Sequence, residues 1–504
     1  MKKEQNLEKR YEKFWFFPQK RHFNAYQQPA VPLRHRLAGA IRPGFVDFLV
    51  KTEQTCWQIL PINPTAYGDS PYQSPCSQAG NPYFIDLPQL QEKGLLTEEE
   101  LLENRHDTQR VDYGWLWNTR FALLRKAFSR FVPDESYAAF CQKHSHWLND
   151  YALFMALKER YGHSPWVTWA PEHKDADAAR LLVSSFAPEM DFWKWVQFEF
   201  YTQWNALHQY ATQNGISIIG DMPIYAAHDS VDVWRDREQF LLNSEGDPLV
   251  VAGFPPDGFS PDGQLWGNPI YNWKGMKKDG FAWWIRRIGC ALELYDILRL
   301  DHFIGFENYY AVPYPSPNAR GGSWQKAPGK ALFKALKTAL PGMKIIAEDL
   351  GIVTDEVRKL LKYTGFPGMK MLHFAFYEDD SENLPRMYNS DNWVVYTASH
   401  DSDCTASWAK AQSKETIKRL KKECPVKKGQ TIPQALIAFA MSSRANLTMV
   451  PMQDYLELTN EQGRMNIPSV AQGNWSWRLD ADYATEELIQ KIHSFTTAHN
   501  RQRR

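Results

Sequence analysis

The sequence has few of the features that mark metal-binding or disulfide-stabilised proteins. Its 504 residues contain only six cysteines, scattered without C-x-x-C spacing and without a neighbouring histidine cluster. This distribution argues against a structural zinc site and a disulfide scaffold, so reduced thiols are expected. The sequence shows no requirement for a metal or another cofactor.

Long hydrophobic runs and an excess of one charge are also missing. No run of 18 apolar residues occurs, and charges interrupt every apolar stretch of the first 21 residues, so neither a membrane span nor a signal peptide is predicted. We expect a cytoplasmic protein. The 58 basic side chains balance 58 acidic ones, which gives no electrostatic reason to expect nucleic acid or an anionic membrane as a partner.

Aromatic residues, in contrast, are plentiful, with 20 Trp, 23 Tyr and 28 Phe. Sugar rings present flat C–H faces that stack on aromatic rings, so this composition fits a carbohydrate-binding protein. A large core uses the same residues, and composition alone leaves both interpretations open.

Eight short apolar runs predict β-strands. Most are nearly continuous rather than alternating, which is typical of parallel strands buried on both faces. They cover residues 56–62, 83–87, 216–221, 297–301, 344–349, 368–376, 393–401 and 447–454. Helical patterns lie between them, for example 352–365, where Thr354 and Gly365 fit the two caps, and 96–104, which has capping-box spacing.

Alternating strands and helices predict an α/β fold with a parallel sheet. Polar residues stand at the C-terminal ends of the predicted strands, where a (β/α)8 TIM barrel carries its active site. They are Asp221, Asp301, Glu348, His400, Asp401 and Asp454. A doubly wound sheet also gathers function at strand ends, but the Gly-rich phosphate loop that would support it is absent. The barrel is therefore favoured.

The spacing between strands is uneven, which predicts insertions into one catalytic domain spanning 1–504. We expect inserted subdomains within 88–215 and 226–296, and a further helical segment near 409–444. Residues 255–273 are rich in Gly, Pro and aromatics, which is typical of a large ordered loop with a function.

The carboxylates suit cleavage of a glycosidic bond. That reaction needs a proton donor for the leaving oxygen and a carboxylate at the anomeric carbon, and Asp301, Glu348 and Asp401 would supply these groups from three strands. Arg299 lies two residues before Asp301 and so points to the same side of the strand. An R-x-D pair is more often a structural ion pair, and His400 with Asp401 also fits half of a metal site, so the residues alone leave these alternatives open.

The sequences around these carboxylates resemble one known family. Eight blocks in the same order are similar to the amylomaltase (disproportionating enzyme) family of 4-α-glucanotransferases, relatives of the α-amylases. They are YGDSPYQSPCSQAGNPYFIDL (67–87), GDMPIYAAHDSVDVW (220–234), PPDGFSPDGQLWGNPIYNW (255–273), RLDHFIGFENYYAVP (299–313), AEDLGIVTDEV (347–357), FPGMKMLHFAF (366–376), YTASHDSDCTASW (396–408) and RMNIPSVAQGNWSWRL (464–479).

The resemblance implies a (β/α)8 barrel and a retaining hexosyltransferase. Such an enzyme moves part of an α-1,4-glucan donor through a covalent glucosyl-enzyme to the 4-hydroxyl of glucose or a maltooligosaccharide. By resemblance, Asp301 is the nucleophile, Glu348 the acid/base and Asp401 the transition-state stabiliser. The implied substrate-binding residues are Tyr72, Asp221, Arg299, His400, Phe374 at the acceptor side, and Tyr67 and Tyr113 in a distal groove.

The chain departs from the family pattern at several positions, and one of them bears on the reaction. The loop at 255–273 normally has a Tyr after PPD, where this chain has Gly258. By resemblance, this loop covers the cleft as a lid. A lid favours transfer by excluding water, so this change weakens the prediction of transfer. A glucan hydrolase using the same carboxylates is the nearest alternative. A non-catalytic glucan-binding protein is less favoured, because nothing structural requires three like charges in one cleft.

Overall fold

The computed structural model describes residues 44–106, 109–256, 260–480 and 482–501, together with the backbone of a strand at 23–28. All six cysteines lie in these ranges, and all are free thiols. In the same part of the chain, no helix is both long and apolar enough to cross a membrane.

The described chain forms twelve strands in two sheets. They are β1 (Phe23–Gln28), β2 (Cys56–Ile59), β3 (Ser217–Met222), β4 (Val250–Phe254), β5 (Gln264–Pro269), β6 (Ile297–Leu300), β7 (Asn308–Pro313), β8 (Ser323–Lys326), β9 (Ile345–Ala347), β10 (Gly368–Met371), β11 (Trp393–Tyr396) and β12 (Leu447–Met449). Eight of them pair in parallel and close into a barrel with the order β1-β12-β11-β10-β9-β6-β3-β2. The predicted (β/α)8 barrel is confirmed, and the open doubly wound sheet is wrong.

Inward-facing side chains fill the barrel in layers. One buried cluster combines Ile219 of β3, Ile297 of β6 and Ile346 with similar residues of the other strands. Residues two apart in a strand point to the same side, so Asp221 and Arg299 also face the interior, one layer nearer to the C-terminal ends. The two residues are direct partners in the register of β3 and β6. The fold therefore places charged groups on top of an apolar layer.

The four remaining strands form an antiparallel sheet in the order β5-β4-β7-β8. The chain between β4 and β5 belongs to the Gly- and Pro-rich segment 255–273. On the β5 side of that segment, the Asp262 carbonyl accepts from the Ala319 N–H at 3.0 Å, and the Asp262 carboxylate pairs with Arg320 at 2.8 Å. The β7–β8 connection therefore supports this loop.

Helices surround the barrel and occupy the long stretches between its strands. They cover Gly44–Lys51, Leu87–Glu92, Glu98–Glu103, Tyr113–Ser129, Glu135–Lys143, Ser145–Arg160, Pro171–Lys174, Ala176–Arg180, Ala187–Gln213, Val231–Arg235, Trp273–Lys278, Ala282–Leu294, Gly329–Ala339, Asp355–Thr364, Thr405–Ala411, Lys414–Glu423, Ile432–Ser442, Met452–Tyr455, Asn460–Gly463 and Glu486–Ala498. Two predicted helices are confirmed together with their caps. Thr354 accepts from the Val357 N–H and Gly365 ends that helix at φ +70°, and Thr97 and Glu100 form the capping box.

One predicted strand is wrong, and another was missed. Residues 83–87 were predicted to be a strand, but Pro82–Phe84 is a 3-10 turn, because the Asn81 side chain caps it by accepting from the Tyr83 N–H. The strand that completes the barrel is β1, whose sequence FNAYQQ lacks the continuous apolar character used to find the other seven.

Candidate active site

The buried guanidinium of Arg299 joins two carboxylates at the C-terminal end of the barrel. Its Nη1 donates to both carboxylate oxygens of Asp221 at 2.7 Å and to Oδ1 of Asp301 at 3.0 Å. The side chains of Arg299 and Asp221 are 4% and 0% exposed, whereas that of Asp301 is 26% exposed. The predicted pairing of Arg299 with Asp301 is therefore present, and the Asp301 carboxylate stays accessible.

The chain leaves β6 through a strained turn that also holds Glu348. His302 adopts φ +50° and ψ +50°, a left-handed conformation that costs on the order of 1–3 kcal/mol for a residue other than glycine. In this conformation its N–H donates to Oε2 of Glu348 at 2.7 Å, and the Leu350 N–H donates to Oε1 at 2.8 Å. The buried Glu348 carboxyl is thus fixed beside the residue that follows Asp301.

Tyr72, Asp221, His400 and Asp401 form a connected group that we call the polar wall. The Tyr72 hydroxyl donates to Oδ2 of Asp221 at 2.8 Å and lies 3.0 Å from Nε2 of His400. The same His400 nitrogen lies 3.2 Å from Oδ2 of Asp401. The Tyr72 hydroxyl donates its proton to Asp221, so its oxygen is left to accept from His400. A proton on Nε2 of His400 is therefore placed between two acceptors, the Tyr72 oxygen and the Asp401 carboxylate. β6 lies between β3 and β9, so Asp221 and Glu348 reach Asp301 from opposite sides.

The carboxyl groups of the site differ in their pKa values. Burial raises the pKa of Glu348 to about 8, and the attraction of Arg299 does not cancel it. Desolvation inside the cleft also raises the pKa of Asp301, whose side chain is 26% exposed. Arg299 lowers this pKa while Asp221 and Asp401 raise it, and the result is a value of about 6. Between about pH 6 and pH 8, Asp301 is consequently ionised while Glu348 keeps its proton.

Asp401 is held ionised by its neighbours. Desolvation by the surrounding protein opposes its charge, although the side chain is 48% exposed. His400 and the Nδ2 of Asn466, which donates to Oδ1 at 2.6 Å, lower the pKa of Asp401 to about 2. The pKa of His400 is raised in turn, because Asp401 outweighs the effect of burial. The site therefore combines one protonated carboxyl group with several carboxylates around a single buried guanidinium.

The structure places the other predicted residues at several different positions. Phe374 is 38% exposed and ends the 3-10 turn that directly follows β10, at the same end of the barrel. Tyr113 begins the helix Tyr113–Ser129, and its hydroxyl donates to the backbone carbonyl of Trp475 at 2.9 Å. The side chain of Tyr67, like Gly258, lies outside the described part of the chain. Asp454, after β12, accepts from Thr397 at 2.6 Å and is buried.

Sequence reasoning missed several residues that complete the site. Asn466 holds Asp401, Trp475 packs beside Tyr72 and His400 with centroid distances of 5.6 and 5.8 Å, and the Trp266 ring lies 4.9 Å from that of His302. Each stands inside a block that resembles the amylomaltase family. Their position in these blocks was the one sign in the sequence that they belong to the site, because nothing in the local spacing of these residues indicates a chemical role.

A protonated carboxyl group beside an ionised one, at the C-terminal face of a (β/α)8 barrel, is typical of enzymes that act on glycosidic bonds. Comparison with known proteins agrees. The profile of the 4-alpha-glucanotransferase family matches residues 40–483. The 4-alpha-glucanotransferase of Clostridium butyricum is 44% identical over 466 residues, 91% of this chain and 95% of that protein. The Thermus thermophilus protein of that name is 44% identical over 451 residues, 86% and 89% of the two chains.

Solved structures give the same result. Amylomaltase from Streptococcus agalactiae, solved in complex with acarbose, superimposes with a TM-score of 0.92 at 36% identity, covering 96% of this chain and 100% of that one. Amylomaltase from Corynebacterium glutamicum shares the fold, with a TM-score of 0.73 at 18% identity over 94% of this chain and 75% of that one. The chain belongs to the 4-alpha-glucanotransferase family, and its enzyme class is that of a hexosyltransferase.

Proposed function

We propose that this enzyme transfers α-1,4-glucan segments by a retaining double displacement through a covalent intermediate on Asp301. The observation that carries the proposal is the different setting of two neighbouring carboxyl groups. Asp301 accepts from Arg299 at 3.0 Å and stays 26% exposed, whereas Glu348 is buried, which raises its pKa and favours its protonated form. A nucleophile must be ionised and a general acid protonated at the same pH.

In the first step, an Asp301 oxygen attacks the anomeric carbon while Glu348 gives its proton to the glycosidic oxygen. The C–O bond to the leaving glucan breaks, and a glucosyl ester of Asp301 forms. In the second step, Glu348 removes the proton from the 4-hydroxyl of glucose or a maltooligosaccharide. That oxygen attacks the same carbon, the ester bond breaks, and both carboxyl groups return to their first state.

The polar wall would hold the sugar whose bond is cleaved. Tyr72 offers a ring face for stacking, and Asp401 with His400 offers hydrogen-bond partners for hydroxyl groups. Negative charge on Asp401, which is 48% exposed, would stabilise the oxocarbenium-like transition state. We assign Phe374 to the side of the site that binds the acceptor. The distal groove of Tyr67 and Tyr113 stays a prediction.

Incubation with pure maltotriose and separation of the products tests this function. Transfer gives free glucose together with a ladder of maltooligosaccharides longer than the substrate. Glucose and maltose without longer products would mean that water intercepts the intermediate, and the hydrolase would replace the transferase. No reaction of maltotriose or of longer glucans would contradict both enzymes.

A further inference from the structure

Trp475 has a backbone conformation that bulky residues rarely adopt. It lies at φ +61°, in the left-handed region, where a residue other than glycine is strained. Its side chain is nevertheless buried, with 7% exposed. A residue held against such strain indicates that its surroundings impose the conformation.

Backbone contacts on both sides hold Trp475 in place. Its N–H donates to the Met465 carbonyl at 2.8 Å. Its own carbonyl accepts from the Tyr113 hydroxyl at 2.9 Å. The next residue, Ser476, accepts at its carbonyl from the Val111 N–H at 2.7 Å. The loop that carries Trp475 is thus attached to the start of the helix Tyr113–Ser129, outside the barrel.

The Trp475 ring faces the polar wall. Its centroid lies 5.6 Å from that of Tyr72, at an interplanar angle of 42°, and 5.8 Å from that of His400, at 43°. Tyr72 and His400 themselves stack at 5.4 Å. The three rings therefore contact one another in pairs, and a shift of Trp475 would move both rings that line the proposed sugar site.

We propose that Trp475 is a positioning residue that sets the orientation of Tyr72 and His400, with the Tyr113 hydroxyl as its anchor. The effect on substrate rests on the proposed function, in which these two rings hold the donor sugar. The helix Tyr113–Ser129, which lies outside the barrel, thereby contributes to donor binding without touching the sugar. This gives Tyr113 a role different from stacking on a glucan in a distal groove.

Two variants separate these roles. Tyr113→Phe keeps the aromatic ring and removes only the hydroxyl, and Trp475→Phe keeps a smaller ring against Tyr72 and His400. We expect kcat/KM for maltotriose to fall roughly fivefold in Tyr113→Phe, as for the loss of one hydrogen bond, and roughly tenfold or more in Trp475→Phe. The loss should include a higher KM for the donor, because a general loss of folding lowers only the apparent kcat. The KM of the acceptor glucose should stay unchanged in both variants.

A double-mutant cycle tests whether the two residues act through one route. If Tyr113 acts by anchoring Trp475, the double variant should lose little more than Trp475→Phe alone, because coupled residues are not additive. Tyr83→Phe is the matched control, since the Tyr83 ring lies 6.3 Å from that of Tyr113, whereas the Trp475 carbonyl accepts from the Tyr113 hydroxyl. This control should keep the parent kcat/KM.

Binding of maltotriose to the same variants in an Asp301→Asn background, measured by calorimetry, tests the inference without turnover. A weaker affinity in Tyr113→Phe and Trp475→Phe supports it, whether the parent chain transfers or hydrolyses. Unchanged kcat/KM and unchanged affinity for maltotriose in Tyr113→Phe would overturn it. An effect on long glucans alone would also overturn it, because that result belongs to a distal groove.

Discussion

The polar wall is built differently from a group of three residues, Phe254, Trp266 and Phe374, which we call the aromatic side of the site. In the polar wall, hydrogen bonds and ion pairs connect every member, and Asp221 is fully buried. Phe254, Trp266 and Phe374 present rings instead. Trp266 and Phe254 lie edge-on to His302 at 4.9 and 6.3 Å, and Phe374 is partly exposed.

Under the proposed function, we expect this difference to give two kinds of sugar recognition. Directed hydrogen bonds fix one ring in one orientation, which a reaction at its anomeric carbon needs. Ring stacking tolerates shifts along a chain and suits acceptors of different lengths. Changes in the polar centre should therefore affect turnover strongly, and changes on the aromatic side should affect mainly acceptor binding.

The largest effect is expected for Asp301→Asn, which removes the proposed nucleophile. Turnover of maltotriose should fall on the order of 10⁴-fold or more, while maltotriose binding persists. The Tm should stay equal or rise, because Asp221 and Asp401 no longer face a third like charge. Product analysis measures the turnover, and thermal unfolding measures the Tm. Asp355→Asn, at an exposed helix start, is the control. A variant with near-normal activity would contradict the assignment.

Glu348→Gln should lower transfer from maltotriose by about 10²- to 10⁴-fold, because proton donation to the leaving oxygen is lost. A donor with an activated leaving group, such as a glucosyl fluoride, should retain its first step, since that group leaves without a proton. Stopped-flow or initial-rate measurements on the two donors give the comparison. Glu356→Gln, an exposed residue of the same segment, should behave like the parent. Equal losses on both donors would exclude the acid role.

The pH dependence should follow the two raised pKa values. The rate with limiting donor should fall below about pH 6, where Asp301 gains a proton, and above about pH 8, where Glu348 loses one. Each limb should approach a tenfold change per pH unit. In Glu348→Gln with an activated donor, the alkaline limb should vanish and the acid limb should stay. An alkaline limb that persists in this variant would assign it to another group.

Seven of the eight barrel strands could be predicted, because continuous apolar runs follow from burial on both faces. β1 could not be found in this way, since FNAYQQ contains Asn24, Gln27 and Gln28 and has no continuous apolar run. Residues 83–87 are apolar enough for a strand, but a single capping contact at Asn81 gives a turn instead. Local side-chain hydrogen bonds of this kind compete with strand pairing and are poorly visible in a sequence.

The charged centre was predictable for a different reason. Asp221, Arg299, Asp301 and Glu348 follow strand ends or precede them by one residue, and barrel geometry then brings them together. Asn466 and Trp475 come from a loop far along the chain. Their contacts with Asp401 and Tyr72 depend on tertiary packing that no local pattern encodes, so only the resemblance of their block pointed to them.

The smallest effect is expected on the aromatic side. Phe374→Ala should raise the KM for acceptor glucose or maltose roughly fivefold, because one stacking contact is worth about 1 kcal/mol. The rate of the first step, followed with an activated donor, should stay within about twofold, since the polar wall is untouched. Tyr377→Ala, which removes an exposed aromatic three residues further on, is the control and should leave acceptor KM unchanged. If Phe374→Ala instead slows the first step as much as it weakens the acceptor, Phe374 contributes to donor positioning, and the division between a polar donor side and an aromatic acceptor side fails.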